Sequence, residues 1–220
     1  MRLTYLAHSA FLIETDGGTR LAIDPYEPGG FGGAIGYAAV DVAADAVLVS
    51  HGHADHAAAG EVAGSPRVVN RAGREKIGDA VVRGTATSHD ARGGAERGGN
   101  LVFTVESGGL RLAHLGDLGH VLSTAQAKEI GKVDLLLVPV GGTFTLDAAD
   151  AWKVVKALSP RIVVPMHYKT AKLGFGIDPV SEFTARAGGA PVRELPSAAE
   201  ATAGLLPAAT EVWVLAPARL

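Results

Sequence analysis

The chain has 220 residues, 47% of them hydrophobic and 20% charged, with a formal net charge of -3. That is enough chain for one large domain with a substantial core, expected over residues 1–220, and its charge gives no reason to expect nucleic acid as a partner. No run of about 18 apolar residues could span a bilayer, and the lack of cysteine excludes disulfides, thiolate metal sites and thiol nucleophiles.

The first residues, Met1-Arg2-Leu3-Thr4-Tyr5, run straight into strand-like sequence without the sections of a signal peptide, so the expected location is cytoplasmic. Leu3 to Leu6, Ala10 to Glu14 and Arg20 to Ile23 read as an antiparallel meander, with Asp16-Gly17-Gly18 as a turn. Val47 to Val49 is a short buried strand. Pro66 to Asn70 and Ala80 to Thr87 read as two more, with a short helix expected at Ala72 to Ile77 between them. Arg67, Arg71, Arg74 and Lys76 around that helix read as a solvated face. Leu101 to Glu106 and Leu110 to His114 form a hairpin around Ser107-Gly108-Gly109.

The second half alternates helix and strand. Thr124 to Ile130 is helical and Asp134 to Val138 is an apolar strand. Leu146 to Leu158 is an amphipathic helix with Trp152, Val155 and Leu158 on one stripe. Arg161 to Met166 is a strand, Pro179 to Ala187 a helix and Glu211 to Leu215 a closing strand, while Pro196 to Pro207 reads as a surface loop or short helix. The predicted class is α+β: two mixed sheets face to face with helices outside.

Chemistry is concentrated at His51-Gly52-His53-Ala54-Asp55-His56, directly after the strand at Val47 to Val49. Three imidazoles and a carboxylate within six residues are metal-ligand chemistry at close spacing. His89, Asp117 and His167 also follow predicted strands, and loops at one edge of a strand scaffold can converge. The count is coherent: His51, His53 and His89 for one ion, Asp55, His56 and His167 for a second, and Asp117 to bridge. Each ion would keep an open position for water, the requirement of a catalytic site. Nitrogen and oxygen donors without sulfur suit zinc first, with manganese or iron also accommodated. His114 reads as a strand residue. His8 and His120 lie beside the site loops as candidate substrate contacts, as do Thr143, Tyr168 and Lys169, with Gly141-Gly142-Thr143-Phe144 bordering the opening.

The ordered set H-x-H-x-D-H, a lone His, a Gly-Asp phrase and a late strand-end His resembles the metallo-β-lactamase fold superfamily. Ala7-His8-Ser9-Ala10-Phe11-Leu12-Ile13-Glu14, Ile23-Asp24-Pro25, His114-Leu115-Gly116-Asp117-Leu118-Gly119, Pro139-Val140-Gly141-Gly142 and Pro165-Met166-His167-Tyr168-Lys169-Thr170 are similar to one branch. That branch is the metal-dependent hydrolases related to L-ascorbate-6-phosphate lactonase and N-acyl-phosphatidylethanolamine phospholipase D. The resemblance implies an αββα sandwich with the metals at one edge of the paired sheets. It also implies a supporting role for Asp24, whose carboxylate would fix a ligating imidazole.

The expected activity is dinuclear hydrolysis of a small-molecule ester, lactone or amide by a metal-bridging hydroxide. Asp55 would serve as ligand and proton acceptor, with His51, His53, His56 and Asp117 completing the reacting centre. The alternative is a phosphodiesterase using the same two ions. A di-iron redox protein and a non-catalytic metal-binding protein are weaker readings. The expected partner is a small molecule, not a membrane, and homo-oligomerisation is left open.

Overall fold

The structure, a computed structural model, describes residues 1–220. In chain order its strands are β1 (Arg2–Ala7), β2 (Ala10–Glu14), β3 (Arg20–Ile23), β4 (Val42–Ala43), β5 (Ala46–Leu48), β6 (Val62–Ala63), β7 (Arg67–Val69) and β8 (Gly73–Ile77). There follow β9 (Ala80–Ser88), β10 (Gly99–Ser107), β11 (Leu110–His114), β12 (Leu135–Pro139), β13 (Ile162–Met166), β14 (Val192–Leu195), β15 (Ala198–Glu200) and β16 (Glu211–Leu215).

Alternation along the strands decides which way each side chain faces. In β2, Phe11 and Ile13 enter a 44-residue core that draws on both sheets, while Ala10 and Leu12 join a 14-residue cluster on the opposite face. The six-stranded sheet runs β15-β1-β2-β3-β5-β7, antiparallel through the meander and parallel from β3 onward. The eight-stranded sheet runs β14-β16-β13-β12-β11-β10-β9-β8, with antiparallel hairpins at one side and parallel strands at the other. Strands β4 and β6 pair separately.

Two mixed sheets packed face to face are the predicted α+β sandwich, with the helical layer of the αββα arrangement developed on the eight-stranded sheet. Helices Thr124–Ile130, Ala148–Leu158 and Val180–Thr184 lie against the eight-stranded sheet. Ser123 starts the first with a reciprocal capping box to Gln126, and Asp147 caps the second. The outer face of the six-stranded sheet is covered by loops, whose Tyr26, Ile35, Tyr37, Val40, Leu173 and Ile177 are buried there.

Two expectations need correction. The segment Ala72 to Ile77 is not helical: Gly73–Ile77 is an edge strand antiparallel to β9. Its Arg74, Glu75 and Lys76 look helical by composition, but charged residues also protect sheet edges, and Gly78-Asp79 joins Ile77 to Ala80 as a two-residue hairpin turn. Pro196 to Pro207 contains β15, which pairs with β1, before a 3-10 turn at Ala203–Leu205. The strand β14 had no apolar alternation to announce it; it is largely exposed at the sheet edge and is held there by parallel pairing with β16.

The strand directions give the sandwich two unlike ends. At one end β1, β3, β5, β9, β11 and β13 all finish. At the other, the Asp79 carboxylate accepts hydrogen bonds from the hydroxyls of Thr15 (2.6 Å), Thr19 and Ser107 (2.7 Å), tying three turns together.

Candidate metal centre

The chain delivers seven predicted ligands to the end where the six strands finish. His51, His53, Asp55 and His56 occupy the turn after β5, where the His56 N–H donates to the His53 carbonyl at 2.9 Å. His89 follows β9, Asp117 follows β11 and His167 follows β13. They converge on Asp117. Its Oδ1 lies 3.1 Å from His56 Nε2, and its Oδ2 lies 3.2 Å from His89 Nε2, 3.3 Å from His167 Nε2 and 3.8 Å from His51 Nε2. Donor atoms fall within 4.8 Å of one another in three sets: His51, His53 and His89; His51, His56 and Asp117; His8, Asp55, His56 and His167.

The donor atoms fit divalent cations. His51 Nε2, His56 Nε2, Asp55 Oδ1 and Asp117 Oδ1 are buried without a hydrogen-bond partner. His56 Nε2 and Asp117 Oδ1 stand 3.1 Å apart yet form no hydrogen bond of acceptable geometry. Atoms so close that do not face each other are aimed at a third point. Leaving four such atoms unsatisfied costs on the order of 1–3 kcal/mol each, a penalty cation binding removes. Burial, and then the charge of His56, push the His51 imidazole down to about 3, so it is an unprotonated donor at neutral pH. Burial would raise Asp117, but His167 and His56 outweigh it and hold the carboxyl well below its ordinary range.

A second layer fixes the tautomers. Asp24 is fully buried; its Oδ1 accepts the Ser50 N–H at 2.7 Å, and its Oδ2 accepts the Ser50 hydroxyl at 2.6 Å. The same Oδ2 accepts His56 Nδ1–H at 2.9 Å, as a carboxylate behind a ligating imidazole should. With its proton on Asp24, Ser50 Oγ accepts His51 Nδ1–H at 3.0 Å. Nδ1 is therefore the donor on both rings, so Nε2 faces the centre in each: as a lone pair on His51, and on His56 once a cation replaces the proton that Asp117 and Asp55 hold there. Asn100 Oδ1 accepts the Asp117 N–H at 3.0 Å, while its amide donates to Thr87 Oγ1 and the Leu115 carbonyl. His114 is structural: Nε2–H donates to the Ser9 carbonyl and Nδ1 accepts the Gly116 N–H. Two glycines press the chain onto the candidate ligands. A Cβ at Gly119 would sit 2.2 Å from the His89 carbonyl, and one at Gly141 2.2 Å from that of His167.

A cavity of about 330 Å³ opens over the centre. His53, Asp55, His89, Asp117 and His167 form its polar side, and Phe31, Phe144, Phe175 and Arg97 the other. The expected substrate contacts are largely elsewhere. His8 is fully buried behind Asp55, with Nε2 3.0 Å from Asp55 Oδ2, so it steadies that carboxylate instead. Tyr168 is buried beside Tyr5, and its hydroxyl donates towards the Leu215 carbonyl. Lys169 donates to the Leu173 and Phe175 carbonyls, bracing the loop that carries Phe175. Thr143 turns its hydroxyl to the Gly176 carbonyl, and His120 Nδ1–H donates to the Val121 carbonyl. Of the expected opening segment only Phe144 lines the cavity.

Sequence reading missed Ser50, Asn100, Asp90, Arg97, Phe31 and Phe175. Asp90, next to His89, had the clearest available signal: an Asp opening a Gly-rich loop.

Comparison with known proteins agrees with this architecture. A family model described as "Beta-lactamase superfamily domain" matches residues 2–167. A UPF0173 metal-dependent hydrolase of Carboxydothermus hydrogenoformans is 33% identical, over 77% of this chain and 85% of the relative. Another, from Anaeromyxobacter sp. (strain K), is 35% identical over 76% and 74%. Among solved structures, a Thermotoga maritima protein described as a candidate zinc-dependent hydrolase of the metallo-beta-lactamase superfamily superposes with a TM-score of 0.79. It is 33% identical, with 97% of each chain covered.

Proposed function

Because this chain belongs to the metal-dependent hydrolases of the beta-lactamase superfamily, we propose that it binds two zinc ions and hydrolyses a small-molecule ester, lactone or amide. The observation that carries the dinuclear reading is the ring of buried, unpartnered nitrogen and oxygen atoms around Asp117. His51, His53 and His89 would hold one ion, Asp55, His56 and His167 the other, with Asp117 between them. Bound ions of this kind supply Lewis acidity and lower the pKa of a water.

The chain's own residues do the rest. Asp55 lines the cavity with Oδ1 unpartnered, while His8 Nε2 steadies Oδ2 from behind. As ligand and proton acceptor together, the Asp55 carboxylate would take the proton of the attacking water and return it to the leaving oxygen or nitrogen. Asp24 and Ser50 hold His51 and His56 in one tautomer throughout, so the imidazoles need no reorganisation during the reaction. A cytoplasmic location suits a chain in which no helix is long and apolar enough to cross a membrane.

Elemental analysis of protein purified without added metal tests the stoichiometry: about two zinc ions per chain are expected, and one or none overturns the dinuclear reading. Parallel assays on a lactone, ester and amide panel and on bis-p-nitrophenyl phosphate test the reaction. Acyl turnover abolished by His51→Ala and Asp117→Ala is expected. Turnover of the phosphodiester alone would replace the reading with phosphodiester hydrolysis.

A further inference from the structure

The non-polar half of the cavity has features that the hydrolytic chemistry does not use. Phe175 packs edge-on against Phe31 (5.4 Å between ring centroids) and against Phe144 (5.8 Å), so three rings form one wall. Phe31 is 55% exposed and sits at φ 53 within Gly29-Gly30-Phe31-Gly32-Gly33. A bulky side chain in left-handed backbone, left largely in water, is destabilising on both counts. Such strain persists at ligand sites because contacts made there use it.

Arg97 stands beside that wall. Its guanidinium lies 4.9 Å from the centre of the Phe144 ring, and its side-chain hydrogen bond is a 3.4 Å contact to the Thr143 carbonyl. No carboxylate pairs with it, unlike Arg92, which pairs with Glu96 one turn away. Its position is built. Asp90 accepts four backbone N–H groups of the loop: Arg92 (2.8 Å) and Gly94 (2.9 Å) on Oδ1, Glu96 (2.9 Å) and Arg97 (2.8 Å) on Oδ2. The carboxylate next to candidate ligand His89 thus moulds residues 91–98 and sets the backbone of Arg97 at the mouth.

We propose that this cavity selects a small substrate with an apolar, preferably aryl, body and an anionic group, a carboxylate or phosphate monoester, with Phe31, Phe144 and Phe175 receiving the body and Arg97 the anion. The proposal rests on the hydrolytic reading above and names its substrate class. A guanidinium over an aromatic ring, with no carboxylate partner, still has N–H groups to offer an oxyanion. The volume, about 330 Å³, lies at the small end of the ~300–1,000 Å³ typical of small-molecule sites, which favours a compact acyl compound over a polymer. Asp90 acts as a positioning residue.

The test measures dissociation constants by calorimetry on zinc-loaded protein for 3-phenylpropanoate, benzylphosphonate and the neutral 3-phenylpropan-1-ol. Arg97→Ala should weaken the two anions about tenfold or more and move the alcohol less than about twofold. Phe31→Gly, which suits the left-handed backbone, should weaken all three by a similar factor. Both side chains are exposed, so neither variant threatens folding. The larger anion loss on Arg97→Ala identifies carboxylate or phosphoryl as the preferred group. Anion affinity unchanged in Arg97→Ala, or no binding of any probe, overturns the proposal. Ester turnover on the same batches separates the two claims. Turnover that persists while Arg97→Ala spares the anions removes only the selectivity, and selective binding without His51-dependent turnover removes only the hydrolysis.

Discussion

Asp24 has no direct view of the cavity, yet it fixes two imidazoles at once, through Ser50 to His51 and directly to His56. Burial would raise its carboxyl, but the His56 hydrogen bond and charge outweigh that and hold it below the ordinary value. Three donors meet two carboxylate oxygens there, so Asp24→Asn leaves at least one donor facing an amide nitrogen while keeping a side chain that tolerates left-handed backbone. Zinc affinity should fall about 10–100-fold, read by competition with a chromogenic chelator. Affinity within twofold of wild type would mean the imidazoles are oriented by packing alone. The candidate ligands were legible because each is a His or Asp in a loop that leaves a strand. Asn100 was not: it lies at the start of β10, and only the folded sheet brings its amide oxygen to the Asp117 N–H.

Elements matter here through how closely their ends approach. Gly141 lies two residues past the end of β12, and its missing side chain lets the His167 carbonyl come within 2.2 Å of where a Cβ would be. Gly141→Ala must push β13's end outward. The expected cost is about 1–3 kcal/mol in stability, with weaker zinc binding, seen by thermal melts with and without metal. A melting temperature and zinc affinity equal to wild type would show that the chain end yields freely. Strand-end order was legible because apolar runs and Gly-rich turns alternate plainly from β9 to β13. The β8 hairpin was not, since Arg74-Glu75-Lys76 carries helix-forming residues and the edge register is set by Gly78-Asp79. The aromatic wall was also hidden, because Phe31, Phe144 and Phe175 are over 100 residues apart at their extremes and meet only in three dimensions.

For the whole molecule, the two ends of the sandwich respond differently to conditions. Hydrogen bonds from Thr15, Thr19 and Ser107 hold the Asp79 carboxyl well below its ordinary range. A folded value below the unfolded one, about 3.9, means the stabilisation is complete above that pH and is lost as pH falls through the folded value. Asp79→Ala should therefore lower the melting temperature at pH 7, with the gap to wild type closing towards pH 2, and should leave zinc content unchanged. A gap that is constant with pH would assign its effect to something other than the carboxylate. Chelation acts at the opposite end. Ions that bind only the folded chain stabilise it by mass action, about 2.7 kcal/mol at a hundredfold excess over the dissociation constant. Removing them with EDTA should lower the melting temperature of wild type and not that of Asp117→Ala.

Seven non-glycine residues have positive φ, and His8, Asp24, Phe31, Thr143 and His167 among them surround the metal centre or its cavity. Left-handed backbone costs roughly 1–2 kcal/mol for most side chains and least for glycine and asparagine. His8, Asp24, Thr143 and His167 each hold a partner that a smaller residue would lose, whereas Phe31 is exposed, so a library of this chain selected only for survival of heating would drift at Phe31 towards glycine and asparagine. Its most heat-resistant clones would give up one ring of the cavity wall, because endurance and substrate capture compete for that one residue.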